Sequence, residues 1–152
     1  MIALTTLKYL ATQKSKDAEV LFANNRFNGY VYMMGYSLEF SLKRKLSITL
    51  GFNNGFPESN PEMRNYYTSQ LALFNSINTG ITLNQITQIR NHKLIELLKF
   101  SGAEARIVAS YYNEWTLICN WDPENRYVRV NWTSKKATDF MNSARIILRQ
   151  IG

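Results

Sequence analysis

The chain is short of cysteine, histidine and proline, and each shortage closes off a class of explanation. One cysteine, Cys119, cannot form an internal disulfide, and its spacing reads as a small core residue near Trp115 and Ile118. One histidine, His92, leaves no His/Cys cluster from which to build a structural zinc site, so no metal is expected. The phosphate-cradling patterns G-x-G-x-x-G and G-x-x-x-x-G-K-[ST] are missing, the acids are few and scattered, and no cofactor is expected. No apolar run approaches the ~20 residues of a membrane span. The N-terminal MIALTTLKYLATQKSKD lacks a basic stretch followed by a long apolar one. The reading is a soluble chain in a reducing, cytoplasmic setting, with no membrane partner. Asn131-Trp132-Thr133 fits the glycosylation sequon, but three-residue patterns recur by chance and nothing else points to secretion.

What is present is a globular composition: 152 residues, 45% hydrophobic, 13% aromatic and 19% charged. A chain of this size buries roughly 70% of its unfolded surface, enough for a core without staples, so residues 1–152 read as one domain. The formal charge is +7, from 18 Lys and Arg against 11 Asp and Glu. That balance favours encounter with polyanions such as RNA, although no dense basic run is present beyond Lys43-Arg44-Lys45.

With proline only at positions 57, 61 and 123, long stretches are free to be helical. Leu4, Leu7, Ala11, Ala18, Leu21 and Phe22 recur at three- and four-residue spacing, predicting a helix over 2–23. After the polar turn Asn24-Asn25-Arg26, GYVYMMGYSLEFSLKRKL continues a second helix to about Leu50. GFNNGFPESNP (51–61) carries turn chemistry. A helix is expected over 61–77, with Met63, Tyr66, Tyr67, Leu71 and Phe74 on one side, closed by Asn78-Thr79-Gly80. Thr82 or Asn91 is a candidate cap for a helix near 91–100, stopped by Ser101-Gly102. A further helix over 103–121 ends at Asp122-Pro123. RYVRVNW (126–132) alternates but has no partner strand, so it reads as an extended loop. Thr133 or Ser134 then caps a last helix to about Gln150 with Phe140, Ala144, Ile147 and Leu148 inward. The sum is an all-α antiparallel up-and-down bundle of four to six helices, with an additional loop and helix at about 51–91.

Glu39 is the anomaly in this pattern. At 100° per residue it falls between Leu46 and Tyr32 on the second helix, a greasy place for a carboxylate. Lys43 follows at i+4, in the favourable order for an ion pair. One reading is a buried structural pair, which Arg126 could also serve. The other is a polar pocket in which Glu39, Lys43, His92, Arg126 and Tyr127 converge to accept an anion or nucleotide.

The pieces also resemble a known family. Asp17-Ala18, Leu21 and NNRFNGYVYMMGYSLEFSLKRKL are similar to the first helical hairpin of the HEPN domain family, named for nucleotide binding in higher eukaryotes and prokaryotes. The family's A/G-x5-G-Y/A-x-x-E-x-x-L-K pattern falls on Gly29, Gly35, Tyr36, Glu39, Leu42 and Lys43. HKLIELL (92–98) looks like its H-x-L-x-x-L segment, and WDPENRY (121–127) like its aromatic-then-R-Y element. The resemblance covers about half of the chain and implies a helical bundle paired as a homodimer. It further implies a nucleotide or RNA ligand, or a minimal nucleotidyltransferase protein partner in a toxin–antitoxin or defence module. Many members are metal-independent ribonucleases with an R-x4-6-H motif. Here the positions four to six intervening residues before His92 are Thr87, Ile86 and Gln85, and Arg90 stands only two residues before it. The standard nuclease motif is therefore absent, and the chain reads as a binding protein without a catalytic set. Two alternatives stand beside it: a ribonuclease toxin in which His92 and Arg126 meet in a non-standard site, and a purely structural interaction module.

Overall fold

A computed structural model describes residues 1–70 and 82–152. The described residues form α-helices α1 (Leu4–Ala23), α2 (Phe27–Thr49), α3 (Asn60–Ser69), α4 (Leu83–Thr87), α5 (Leu94–Phe100), α6 (Glu104–Ser110), α7 (Tyr112–Ile118) and α8 (Ser134–Ile151). A 3-10 turn covers Pro123–Tyr127. The fold is all-α: extended pairing among the described residues amounts to a single antiparallel bridge between Ile2 and Phe56.

The architecture follows from α2. A helix with apolar residues on every side has to be enclosed by others, and from Gly29 to Ser47 no residue of α2 is exposed. Leu38, Leu42 and Leu46 are fully buried, each contributing about 1.5–3 kcal/mol by leaving water. The turn 24–26, with Asn25 in the left-handed region at φ 57°, folds α1 back along α2. Gly29 then lies against Leu21, and the Ser37 hydroxyl donates to the Ala11 carbonyl at 2.8 Å, so the pair is antiparallel. The opposite flanks of α2 are covered by α5 and α8. Tyr30 meets Phe140 edge-on at 6.3 Å, and Ser37 and Ser41 share a shallow groove with Leu148, so α8 runs in the same direction as α2.

Local chemistry sets several of the ends. The Ser59 hydroxyl accepts from the Glu62 N–H with proline in the first turn of α3. Thr82 and Gln85 form a reciprocal capping box on α4. Thr133 accepts from the Lys136 N–H at the start of α8. The 51–59 loop is bound to the N-terminal segment, where Ile2 and Phe56 exchange both backbone hydrogen bonds. The Tyr66 hydroxyl donates to the Gly55 carbonyl at 3.1 Å.

Three expectations need correction. The helix expected near 91–100 begins at Leu94, because Gln88 to His92 form turns and bends after α4 and Lys93 is extended. The helix expected over 103–121 is interrupted: Tyr111, at φ −136°, separates α6 from α7, and α7 ends at Ile118. The extended loop expected over 126–132 starts only at Val128, because Arg126 and Tyr127 belong to the 3-10 turn; from there it runs without strand pairing among the described residues, as expected. The expected helix over 61–77 is seen as Asn60–Ser69; Leu71, Phe74 and Asn78-Thr79-Gly80 lie outside the described residues.

Candidate functional site

The second half of α2 carries a buried charge cluster. Glu39 is 1% exposed. Its Oε1 accepts from the Lys43 ammonium at 2.6 Å and from His92 Nδ1 at 2.9 Å. Nδ1 faces the carboxylate, and the side chain as a whole is 56% exposed. The other carboxylate oxygen, Oε2, is buried and has no hydrogen-bond partner among the described residues. Lys43 is buried as well, with its ammonium 5.1 Å from the centre of the Phe56 ring, a distance at which cation–π attraction operates. Three separate segments therefore meet at the Glu39–Lys43 pair: α2 itself, the 51–59 loop through Phe56 on Lys43, and the bends before α5 through His92 on Glu39.

Arg126 and Tyr127 do not join this cluster, which corrects the expectation of one converging pocket. Arg126 donates to the Tyr32 hydroxyl at 3.1 Å and to the Tyr127 hydroxyl at 2.6 Å, and its guanidinium lies 4.6 Å from the centre of the Tyr127 ring. Tyr127 itself is 75% exposed. Nor does Arg126 pair with Glu39. Tyr32 and Glu39 are seven residues apart, two turns and about 10 Å along the axis, yet on nearly the same face of α2. The two groups of residues are thus neighbours along one stripe, not one site.

Between them stands Tyr36, whose hydroxyl is 3.2 Å from that of Tyr32. Burial pushes the Tyr36 phenol up to about 12. The Tyr32 phenol is held below its ordinary value by the hydrogen bond with Tyr36 and then by that from Arg126. Either hydroxyl can be the donor in this pair, while Arg126 donates to the Tyr32 oxygen.

Sequence reasoning missed the role of Gly35. A Cβ on Gly35 would sit 1.9 Å from Cε2 of Trp121. The indole therefore lies directly on the α2 backbone, with its edge toward Tyr36 at 5.1 Å between ring centres. A glycine inside a helix costs about 1 kcal/mol relative to alanine, and that cost was the available signal of a close approach. Asn28 was missed too: its side chain donates to the Val130 carbonyl at 2.9 Å and accepts from the Trp132 N–H at 3.2 Å, fastening the 128–132 segment to α2. Cys119 is half-buried and burial pushes its thiol up, away from the reactive thiolate.

Among the described residues, no group of three or more His, Cys, Asp or Glu is placed to hold a metal ion, and no helix is long and apolar enough to cross a membrane. Comparison with known proteins gives no kin: no protein-family model, curated protein or solved structure matches the chain.

Proposed function

We propose that the chain is a HEPN-like helical binding module, a homodimer that engages a nucleotide or RNA without cutting it. In this reading it serves beside a minimal nucleotidyltransferase in a toxin–antitoxin or defence module. The ligand contacts are Glu39, Lys43 and His92 at one end of the α2 stripe and Arg126 and Tyr127 at the other. The net charge of +7 supports a polyanionic partner. The Oε2 of Glu39 is buried without a donor, at a cost of about 1–3 kcal/mol that a ribose hydroxyl or a base amine would relieve on opening the cluster.

The observation that carries the non-catalytic reading is the separation of His92 from Arg126. Metal-free phosphodiester cleavage needs a proton acceptor and a cation within hydrogen-bond reach of the same phosphate, about 3 Å from each. Here His92 is tied to Glu39 and Arg126 to Tyr32, two turns up the helix. The structural alternative draws on a different observation, the three segments that the Glu39–Lys43 pair joins.

Titration of a fluorescently labelled single-stranded RNA across a series of salt concentrations tests the binding reading. Affinity that falls steeply as salt rises is expected, with His92→Ala and Arg126→Gln each weakening it. Absence of any nucleotide or RNA affinity at low salt transfers the cluster to the structural alternative.

A further inference from the structure

The face of α2 around Tyr32 borders a cavity of about 450 Å³, closed on its other sides by residues of α7, the 3-10 turn, the 128–132 segment and α8. That volume lies in the range of small-molecule sites. The cavity lies apart from the Glu39 cluster and shares only Arg126 with the contacts proposed above, and its construction is specific in three respects.

Its walls are fixed before any ligand arrives. Trp121 is seated on the backbone at Gly35. Trp132 meets Phe140 edge-on at 5.6 Å, and Asn28 holds the backbone at both Val130 and Trp132. Its walls are also largely apolar, with Trp121, Trp132, Phe140 and Leu117 among the lining residues. Such walls favour a flat hydrophobic body. Finally, the charges that line it are one cation, Arg126, and one anion, Asp122. Arg126 uses one donor on each terminal nitrogen for Tyr32 and Tyr127, and its fork has further N–H groups to offer a carboxylate. A polyphosphate would meet only that single cation and would place its remaining charges beside the Asp122 carboxylate.

We propose that this cavity binds a small planar aromatic molecule bearing a single carboxylate, its ring against the Trp121 and Trp132 walls and its carboxylate on Arg126. Arg126 is shared with the RNA-binding reading but the apolar walls are not, so the site stands even if the chain binds no RNA.

The test uses the full chain and three probes: 2-naphthoate, the uncharged 2-naphthylmethanol, and adenosine monophosphate. Calorimetry gives the affinities, and the indole N–H signals of the three tryptophans report the place. The expected result is that 2-naphthoate moves the Trp121 and Trp132 signals, leaves Trp115 in place, and binds about tenfold or more tighter than the alcohol, the worth of a charge-assisted hydrogen bond. Arg126→Gln, at an exposed side chain, erases the preference for the acid, and Leu117→Trp, which fills the cavity from its rim, weakens both naphthyl probes. The proposal is overturned if the acid does not bind, if acid and alcohol bind alike, if the preference survives in Arg126→Gln, or if Trp121 and Trp132 do not respond. Tighter binding of adenosine monophosphate than of 2-naphthoate also overturns it, by assigning the cavity to a nucleotide.

Discussion

The two halves of α2 use the same helical face in opposite ways. Around Glu39, the charges meet inside the protein: one carboxylate oxygen accepts from both the ammonium and the imidazole, and the cluster fastens two loops to the central helix. Around Tyr32, the cation stays at the surface, fully exposed, beside a walled cavity. Charge buried with its partners governs stability, whereas charge held at the rim of an apolar pocket is free to act on a ligand. Substitutions at the buried Glu39 and Lys43 should therefore be read out first in unfolding, and those at the exposed His92 and Arg126 in binding.

The largest effect is expected at Glu39. Glu39→Gln leaves the buried Lys43 ammonium without its counter-charge, and breaking a buried pair from one side costs about 3–5 kcal/mol. Urea unfolding should show this loss, while the double variant Glu39→Leu, Lys43→Leu should recover most of it, because the desolvation cost of both charges disappears together. If Glu39→Gln is as stable as the parent, the cluster is not the fastening described above.

Gly35→Ala comes next. The new methyl would overlap the Trp121 indole, so the ring must lift from α2, at about 1–3 kcal/mol. Trp121 emission should shift toward that of a more exposed indole, and the cavity should lose its wall. Asn28→Ala removes two hydrogen bonds to the 128–132 segment, each worth roughly 0.5–1.5 kcal/mol. Hydrogen exchange at Trp132 should accelerate more than at Leu42, which would show that this segment can open without the core.

The smallest effect concerns pH. Folded Tyr36 keeps its proton to about 12, against an ordinary value of 10.0. Between those values the unfolded chain binds fewer protons than the folded one, so stability falls as pH rises. Tyr30, raised by burial, acts with the same sign. Tyr32, lowered, has the opposite sign, but its contribution is already complete above pH 10.0. Tyr36→Phe should therefore flatten the loss of stability between about pH 10 and 12, measured as urea midpoints across that interval.

Much of the Glu39 region was legible in the sequence because it is local. Helical spacing alone places Lys43 one turn from Glu39, and a carboxylate between Leu46 and Tyr32 on an otherwise apolar helix demands a partner. The cap at Thr133 was legible for the same reason, since capping needs only residues three apart, whereas Thr82, a candidate cap for the helix near 91–100, instead starts the short, unexpected α4. The cavity was not, because its walls come from residues near 28–32, 117–132 and 140, brought together only by packing. Arg126 shows the limit most clearly. The sequence offers it to Glu39 or to His92, and the 3-10 turn, held by the Asp122 carboxylate accepting from the Glu124 N–H, delivers it to Tyr32 instead. The break at Tyr111 left no trace in the pattern, since apolar spacing runs unbroken from Ile107 to Ile118 and neither glycine nor proline marks the place.

The central claim is that His92 and Arg126 belong to separate ends of the stripe and do not act on one phosphate. Incubating end-labelled single-stranded RNA with the parent chain in chelator, beside His92→Ala and Arg126→Gln, tests it most directly. The account predicts intact RNA in all three; metal-free cleavage by the parent that both substitutions abolish would contradict it.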